Sequence, residues 1–166
     1  NIPARVYNDF VGTLLAISYD GKTLAFSAKQ NSISIYDTLS GSQISQLHPM
    51  GIEARCIQFT PNDQDLVLGN VDGSISLIII ITGEMKNTLT NHKGVVWDIT
   101  FSNSGELMAS ASHDRTVILW DCSNWEPLQV LQGHTSRVMG LRFSPDDRAL
   151  ATCSWDGTVR LWKVLP

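Results

Sequence analysis

A period of 42 residues runs through the chain and constrains its fold more than any other feature. Apolar, aromatic and turn positions all keep this spacing without slippage. The matched sets are Ile17, Phe59, Phe101 and Phe143; Tyr36, Ile78, Trp120 and Trp162; Gln30, Asp72, Asp114 and Asp156; and Leu24, Leu66, Met108 and Leu150. Four such units account for nearly all of the 166 residues. The pattern predicts a row of similar supersecondary units that bury their faces by stacking on one another.

Each unit has the residue pattern of short β-strands joined by tight turns. In the third unit, apolar residues alternate through 95–101, a strand of small residues follows at 107–112, and a β-branched and aromatic strand follows at 116–120. The pairs Asp72-Gly73 and Asp156-Gly157 suit two-residue hairpin turns. Four short antiparallel strands per unit predict an all-β fold, a β-propeller with one blade per unit.

The period divides the chain into four blades, at about 6–47, 48–89, 90–131 and 132–166. Residues 1–5 lie three periods before 127–131, so they are expected to form an outermost strand that closes the ring or completes an adjoining blade. Four blades make half or part of a ring, which leaves two interpretations open: a homodimeric eight-bladed ring, or part of a larger propeller. The chain starts without Met, which favours the second interpretation. Self-association of the isolated chain is expected in both cases.

The last two units share one spacing of polar and aromatic residues. Gly133-His134 opens the fourth unit, Asp156 follows 22 residues after the histidine, and Trp162 follows six residues later. The third unit repeats this spacing with His92, Asp114 and Trp120-Asp121. In this spacing the two units resemble the WD-repeat (WD40) family. The first two units are degenerate and are related to the others mainly by period.

The resemblance implies that these polar residues form one hydrogen-bonded chain per blade, in which a His, a second-strand Ser, the turn Asp and a third-strand Trp take part. Carried over by position, the two tetrads are His92, Ser112, Asp114 and Trp120, and His134, Ser154, Asp156 and Trp162. Ser110 and Thr152, two residues earlier, are the alternatives for the hydroxyl. The first two units lack most of these residues, so we expect slacker polar networks and more apolar packing there.

Ser, His and Asp are also the components of a hydrolase triad. Here the set recurs in consecutive units at identical spacing, which one active site would not require, and no Gly-x-Ser-x-Gly motif is present. The sequence therefore predicts no catalytic residue, no enzyme activity and no cofactor. The four histidines lack ligand spacing, so no metal site is expected either.

Charge and cysteine usage narrow the class of protein further. The formal net charge is −4, from 12 basic and 16 acidic side chains, which disfavours a surface for nucleic-acid phosphates. The longest strongly apolar run, at 77–81, is far shorter than the roughly 20 residues that span a bilayer. Cys56, Cys122 and Cys153 have no C-x-x-C spacing and indicate unpaired thiols in a reducing compartment. We expect a cytoplasmic protein, with the nucleus as the alternative, and no membrane partner.

Function is therefore expected on the surface of the propeller. In WD-repeat proteins the favoured face surrounds the central channel at the turns between second and third strands. The matching positions, our candidate partner-binding face, are Lys29, Arg55, Val71, Trp97, His113, Arg137, Met139 and Trp155. Trp, Met and Arg are enriched at binding hot spots. The alternatives are that the tryptophans pack on neighbouring blades, and that the arginines are solvated or paired with Glu53 or Asp98.

The resemblance implies a non-catalytic scaffold for protein or peptide partners, either alone or as the sensing or regulatory part of a larger signalling protein. The alternative is a nucleic-acid- or chromatin-associated module, if Arg55, Arg115, Arg137 and Lys93 gather on one face. Two apolar features stand apart from this face. Trp125, between the third and fourth strands, is expected to pack on its own loop, and the alternative is a second contact site on the opposite, outer face. The isoleucine run at 78–81 is expected to be partly buried against an adjacent blade or another chain.

Overall fold

The protein is an open row of four antiparallel sheets, which confirms the all-β propeller architecture; the computed structural model describes residues 6–7, 10–48 and 53–164. Blade 1 contains β1 (Leu15–Ile17), β2 (Thr23–Ala28), β3 (Ser32–Asp37) and β4 (Gln43–Leu47). Blade 2 contains β5 (Ala54–Phe59), β6 (Asp65–Asn70), β7 (Ile75–Ile79) and β8 (Met85–Leu89). Blade 3 contains β9 (Val96–Phe101), β10 (Leu107–Ser112), β11 (Val117–Asp121) and β12 (Pro127–Leu131). Blade 4 contains β13 (Val138–Phe143), β14 (Ala149–Ser154) and β15 (Val159–Lys163).

Strands pair in chain order within each blade, and the fourth sheet has three strands among the described residues. The outermost strand expected at residues 1–5 lies outside the described ranges. A short turn, Lys29–Asn31, joins β2 to β3 in blade 1, with left-handed backbone at Gln30 and Asn31. No helix within the described ranges has the length and apolar character needed to cross a bilayer.

Three apolar clusters lie between successive blades. We call the contact between two successive blades a joint, the sheet face that points to the next blade in chain order the forward face, and the one that points to the preceding blade the backward face. In each joint, the forward face of one blade packs against the backward face of the next. Strand β9, for example, contacts both β5 and β13. In the joint between blades 2 and 3, the forward face supplies Val67, Ile75, Leu77 and Leu89, and the backward face supplies Val96, Ile99, Phe101, Met108, Ile118 and Trp120. Each large side chain buried in this way contributes roughly 1.5–3 kcal/mol. The blades are therefore held together by the same residues that form their cores.

The turn between the first and second strands of each blade ends on a residue at positive φ. Glycine stands there in blades 1 and 3, as Gly21 (72°) and Gly105 (74°). Aspartate stands there in blades 2 and 4, as Asp63 (56°) and Asp147 (58°), since Asp tolerates the left-handed conformation better than most residues. The turn position thus alternates between glycine and aspartate along the chain.

The two aspartates fasten their blades to the preceding blade. Asp147 accepts hydrogen bonds from the backbone N–H groups of Asn103 at 2.7 Å and Ser104 at 2.8 Å. Asp63 binds the corresponding turn of blade 1 through two backbone N–H groups in the same way. The joints between blades 1 and 2 and between blades 3 and 4 therefore have a polar clamp in addition to their apolar contact.

The degenerate blades replace the predicted tetrad in two different ways. In blade 1, Phe26 and Tyr36 occupy the hydroxyl and tryptophan positions and stack with ring centroids 5.4 Å apart. In blade 2, Leu68 and Ile78 occupy them and are buried in the cluster between blades 1 and 2. Beside this apolar packing, blade 2 keeps a smaller polar group in which buried Asn70 donates hydrogen bonds to two serine hydroxyls, each at 2.9 Å.

The isoleucine run at 78–81 and Trp125 are both partly buried. Ile78 and Ile80 are buried in the cluster shared with blade 1, whereas Ile81 is 90% exposed. The run is thus partly buried against an adjacent blade. Trp125 is half-buried and meets Phe101 of its own blade edge-on, with ring centroids 6.5 Å apart.

Candidate functional site

The hydrogen-bonded chain of blade 3 joins two strands, the turn between them and the loop that precedes β9. His92 Nδ1 lies 2.9 Å from Asp114 Oδ2, and His92 Nε2 lies 2.8 Å from Ser110 Oγ. Trp120 Nε1 donates to the same Ser110 hydroxyl at 2.9 Å. The Asp114 carboxylate favours the proton on Nδ1 of His92, so Nε2 accepts from the Ser110 O–H. The imidazole, hydroxyl, indole and carboxylate of this hydrogen-bonded network then all have partners.

Blade 4 repeats this geometry with a threonine as the central hydroxyl. His134 Nδ1 lies 2.8 Å from Asp156 Oδ2, and His134 Nε2 lies 2.8 Å from Thr152 Oγ1. Trp162 Nε1 donates to Thr152 Oγ1 at 2.9 Å. The two blades therefore share one arrangement at the same 42-residue spacing.

The hydroxyls in these chains belong to Ser110 and Thr152, not to the predicted Ser112 and Ser154. Ser110 and Ser112 face the same side of β10, but Trp120 lies opposite Met108 in the register, so its indole reaches Ser110 on the diagonal. Ser112 is about 6.6 Å further along the strand. Its hydroxyl donates to Gly94 O at 2.8 Å and accepts from Asp114 N–H at 3.1 Å, so it fixes the turn instead. Ser154 makes the matching bonds to Ser136 O and Asp156 N–H.

Burial keeps these groups away from any substrate. The side chain of His92 is 0% exposed and that of His134 is 1% exposed, and Ser110 is fully buried. A triad nucleophile must reach its substrate, whereas the Ser110 hydroxyl already binds an imidazole and an indole. The arrangement is suited to bracing the blade, because a satisfied buried network rigidifies the strands that it joins.

Asp114 gives this bracing a pH dependence. Burial raises the pKa of Asp114, but hydrogen bonds from His92, the Thr116 hydroxyl and the Lys93 amide outweigh it and hold that pKa well below the ordinary 3.8. Since the folded-state pKa is depressed, the stabilisation is fully present above pH 3.8 and is lost as the pH falls through the folded-state value.

We therefore expect Asp114→Asn to lower the free energy of unfolding by about 1–2 kcal/mol at pH 7, because hydrogen bonds to a charged group are lost. The gap between the variant and the unmodified chain should narrow as the pH falls below about 4. Urea denaturation at a series of pH values from neutral down to strongly acidic, at one protein concentration, measures it. A gap that stays constant over this range would show that the charge of Asp114 contributes nothing to folding.

The candidate partner-binding face lies at the opposite end of the blades from the glycine and aspartate turns. In blades 2, 3 and 4 the residue before the turn aspartate donates its backbone N–H to the start of the first strand: Val71 to Glu53, His113 to Val95 and Trp155 to Arg137, at 2.8–3.0 Å. Lys29 lies at the start of the turn between β2 and β3 in blade 1. Lys29, Arg55, His113 and Trp155 are exposed, and Val71, Trp97, Arg137 and Met139 are half-buried.

Two tryptophans of this face lie beside arginines. The Arg137 guanidinium lies over the Trp155 ring, 3.2 Å from its centroid, and Trp155 remains 65% exposed. Arg55 lies 5.8 Å from the ring centroid of Trp97 in the next blade. The Trp97 indole N–H is buried without an acceptor among the described residues. Trp97 is thus partly packed between blades, whereas Trp155 stands clear of them.

Of the two acidic residues expected to pair with Arg55 or Arg137, one does so among the described residues. Glu53 pairs with Arg55 at 3.2 Å. Asp98 pairs with Arg142 at 2.8 Å and with neither arginine of the candidate face. Arg137 is held by stacking on Trp155 instead.

A cleft between blades 1 and 2 on this face was not predicted from the sequence. It has a volume of about 290 Å³, and its lining includes Thr13, Gln30, Asn31, Glu53 and Arg55. Gln30 and Asn31 both have positive φ, at 60° and 55°. Two consecutive residues without glycine in this region are uncommon, and such strain often accompanies functional surfaces. The sequence signal was the absence of the turn aspartate at Gln30.

Comparison with known proteins gives one family. The family model described as "WD domain, G-beta repeat" matches residues 83–121 and 125–163. The meiotic recombination protein rec14 of Schizosaccharomyces pombe is 32% identical over 105 residues, 63% of this chain and 35% of that protein. The Set1 complex component swd2 of the same organism is 26% identical over 117 residues, 68% of this chain and 33% of that protein.

Rat apoptotic protease-activating factor 1 is 31% identical over 136 residues, 78% of this chain and 11% of that protein. The chain therefore spans about a third or less of the length of these curated relatives. The crystal structure of the computationally designed Ika4 protein superposes with a TM-score of 0.79 at 26% identity, covering 95% of this chain and 94% of that one. With its repeat spacing, its four antiparallel sheets and the His–Ser/Thr–Asp–Trp geometry, the chain belongs to the WD-repeat family of β-propellers.

Proposed function

We propose that the protein is a non-catalytic scaffold that binds a protein or peptide on the channel face, with Trp155 and Arg137 at the centre of the contact. The observation that carries the proposal is the position of Trp155. It is a large aromatic side chain, 65% exposed, at a turn where a small polar residue would suffice. Exposed tryptophan is costly in water and is the residue type most enriched at binding hot spots.

The stacked arginine gives Trp155 a defined orientation before any partner arrives. A guanidinium 3.2 Å above the ring restricts both side chains, so less conformational entropy is lost on binding. The free face of the indole offers apolar area, and the guanidinium edge offers hydrogen-bond donors. A peptide with an apolar side chain beside a carbonyl or carboxylate oxygen has the complementary chemistry.

Nucleic acid is the second candidate, because bases also stack on aromatic rings and on arginine. The charge of the face argues against it. Arg55 is paired with Glu53, and the net charge of the chain is −4. Among the relatives, rec14 is a meiotic recombination protein and swd2 is a Set1 complex component, which keeps this class as the alternative. Salt dependence of binding separates the two classes.

The cysteines bear on the location of the protein and the buried tetrads on its chemistry. All three cysteines are unpaired, and burial raises the pKa of Cys122 to about 12, so that thiol is unreactive. Unpaired thiols fit a reducing compartment, the cytoplasm or the nucleus. WD-repeat propellers are generally non-catalytic scaffolds, and the buried tetrads offer no nucleophile to a substrate.

The decisive experiment uses peptides selected on the unmodified chain from a displayed random library. We expect Trp155→Ala to weaken the selected peptides about 10- to 30-fold in Kd, the loss typical of a hot-spot tryptophan. Tyr19→Ala is the matched control. Tyr19 is 54% exposed, but it lies in blade 1, in a turn on the opposite side of the propeller from the candidate face. Fluorescence anisotropy measures both variants.

Equal affinity of Trp155→Ala and the unmodified chain would remove Trp155 from the contact. Binding of single-stranded oligonucleotides with a steep salt dependence, together with no selected peptide, would favour the nucleic-acid alternative.

A further inference from the structure

Among the described residues, the outer faces of blades 1 and 4 are apolar and exposed. On the forward face of blade 4, Val159 is 71% exposed and Leu161 is 77% exposed. On the backward face of blade 1, Leu15 is 63% exposed and Ile17 is 59% exposed. These two surfaces, which we call the end faces, lie at opposite ends of the row. Large uncovered apolar patches on a sheet are sites of association.

The end faces have the residues of a buried joint. Val159 and Leu161 stand two periods after Ile75 and Leu77, which are 0% exposed in the joint between blades 2 and 3. In the same joint, Ile99 and Phe101 are 2% and 6% exposed, and they stand two periods after Leu15 and Ile17. Further equivalent apolar positions are Leu24 for Met108 and Tyr36 for Trp120. One end face is thus a forward face and the other a backward face.

The rims of the blades show which joint the ends would form. Between blades 2 and 3 no aspartate clamp is found among the described residues, and Pro61 lies against Gly105, where a Cβ would be only 3.1 Å from the proline Cβ. The same two positions at the ends of the row are Pro145 in blade 4 and Gly21 in blade 1. A Cβ at Gly21 would meet nothing within 4 Å. One chain therefore has both halves of a second proline–glycine joint.

We propose that a second copy of this chain covers both end faces. The forward face of blade 4 in each copy packs on the backward face of blade 1 in the other, with Pro145 against Gly21, and the two joints close a ring of eight blades. Head-to-tail contacts close when the rotation per unit fits, and eight is within the usual range of propeller sizes. The inference rests on the end faces and stands or falls independently of the proposed peptide binding.

A second copy also completes the channel face. In the closed ring, the turn that bears Trp155 would lie next to Thr13 and Lys29 of the second copy. Within one chain, the equivalent turn of blade 2 lies against the entry to blade 3, where Gly73 is close to His92 and Gly94. The ligand surface at that joint would then contain residues of both copies.

The test is the mass of the 166-residue chain in dilute solution, measured by sedimentation velocity and light scattering. We expect twice the 18.3 kDa chain mass, independent of concentration in the micromolar range. Leu161→Asp and Ile17→Lys, each at an exposed position, should both halve the mass. Ile81→Asp is the matched control, because Ile81 is 90% exposed but belongs to neither end face. It should leave the mass unchanged.

Mixing the Leu161→Asp and Ile17→Lys variants distinguishes a direct contact from a folding defect. In a mixed ring, the introduced aspartate would face the introduced lysine in one joint, and unmodified residues would meet in the other. An equimolar mixture should therefore recover the double mass. An unmodified chain of 18.3 kDa would overturn the proposal, as would masses that rise beyond two copies with concentration. A mixture that stays at the single-chain mass would also overturn it, because the two end faces would then not meet.

Discussion

Replacing Trp120 with alanine is expected to lower the free energy of unfolding by about 3–5 kcal/mol. Trp120 is 1% exposed and lies in the apolar cluster between blades 2 and 3. Its removal leaves a cavity at a joint where both blades are already packed, and it leaves the Ser110 hydroxyl without its indole donor. Both losses act on the same joint, so one substitution weakens two blades.

Urea denaturation of Trp120→Ala beside Trp155→Ala separates the roles of the two tryptophans. Trp155 is exposed at a turn, so its replacement should change the stability by less than about 0.5 kcal/mol. Both variants must be compared at one protein concentration, since any association stabilises the folded chain by mass action. Similar stability losses in the two variants would contradict the assignment of Trp120 to the frame and Trp155 to the surface.

Thr152→Val is expected to cost roughly 2–4 kcal/mol, although valine has nearly the same shape as threonine. The change removes only the hydroxyl that receives the Trp162 indole N–H and contacts His134 Nε2, both at 2.8–2.9 Å. Thr152 is 1% exposed, so water cannot easily replace it. Nε2 of buried His134 and the indole N–H of half-buried Trp162 would both lose this partner.

Thr152→Ser provides the control, because it keeps the hydroxyl and removes one methyl group. It should cost about 1 kcal/mol, near the value for one buried methyl(ene), and blade 3 already uses serine at this position. Chemical denaturation of the pair measures the difference. If valine were tolerated as well as serine, the hydrogen-bonded chain of blade 4 would have no structural role.

The repeat period was sufficient to predict the fold. Because Phe59, Phe101 and Phe143 recur at one spacing beside strand-like segments, the blades and their order could be predicted from the sequence. The tetrad hydroxyls were assigned wrongly, because Ser110 and Ser112 share one face of β10 and composition does not distinguish them. The hairpin register, Ala111 opposite Val117, would have placed Trp120 diagonal to Ser110.

The candidate face depended on contacts that repeat spacing does not determine. The stacking of Arg137 on Trp155 depends on side-chain rotamers, and the pairing of Asp98 with Arg142 depends on how blade 4 sits against blade 3. The left-handed turn at Gln30 and the cleft beside it arise where blade 1 departs from the repeat. Repeat spacing predicts the features that the blades share, but it does not predict features that occur in one blade only.

Hydrogen exchange of the tryptophan indole N–H groups, observed by NMR, tests most directly whether the recurring polar residues brace the blades. The Trp120 N–H, bound to Ser110 inside the blade, should exchange only as fast as the protein unfolds globally. The Trp155 indole, on an exposed ring, should exchange within the dead time of the experiment. Rapid exchange at Trp120, at a rate close to that of Trp155, would contradict a structural role for the tetrads.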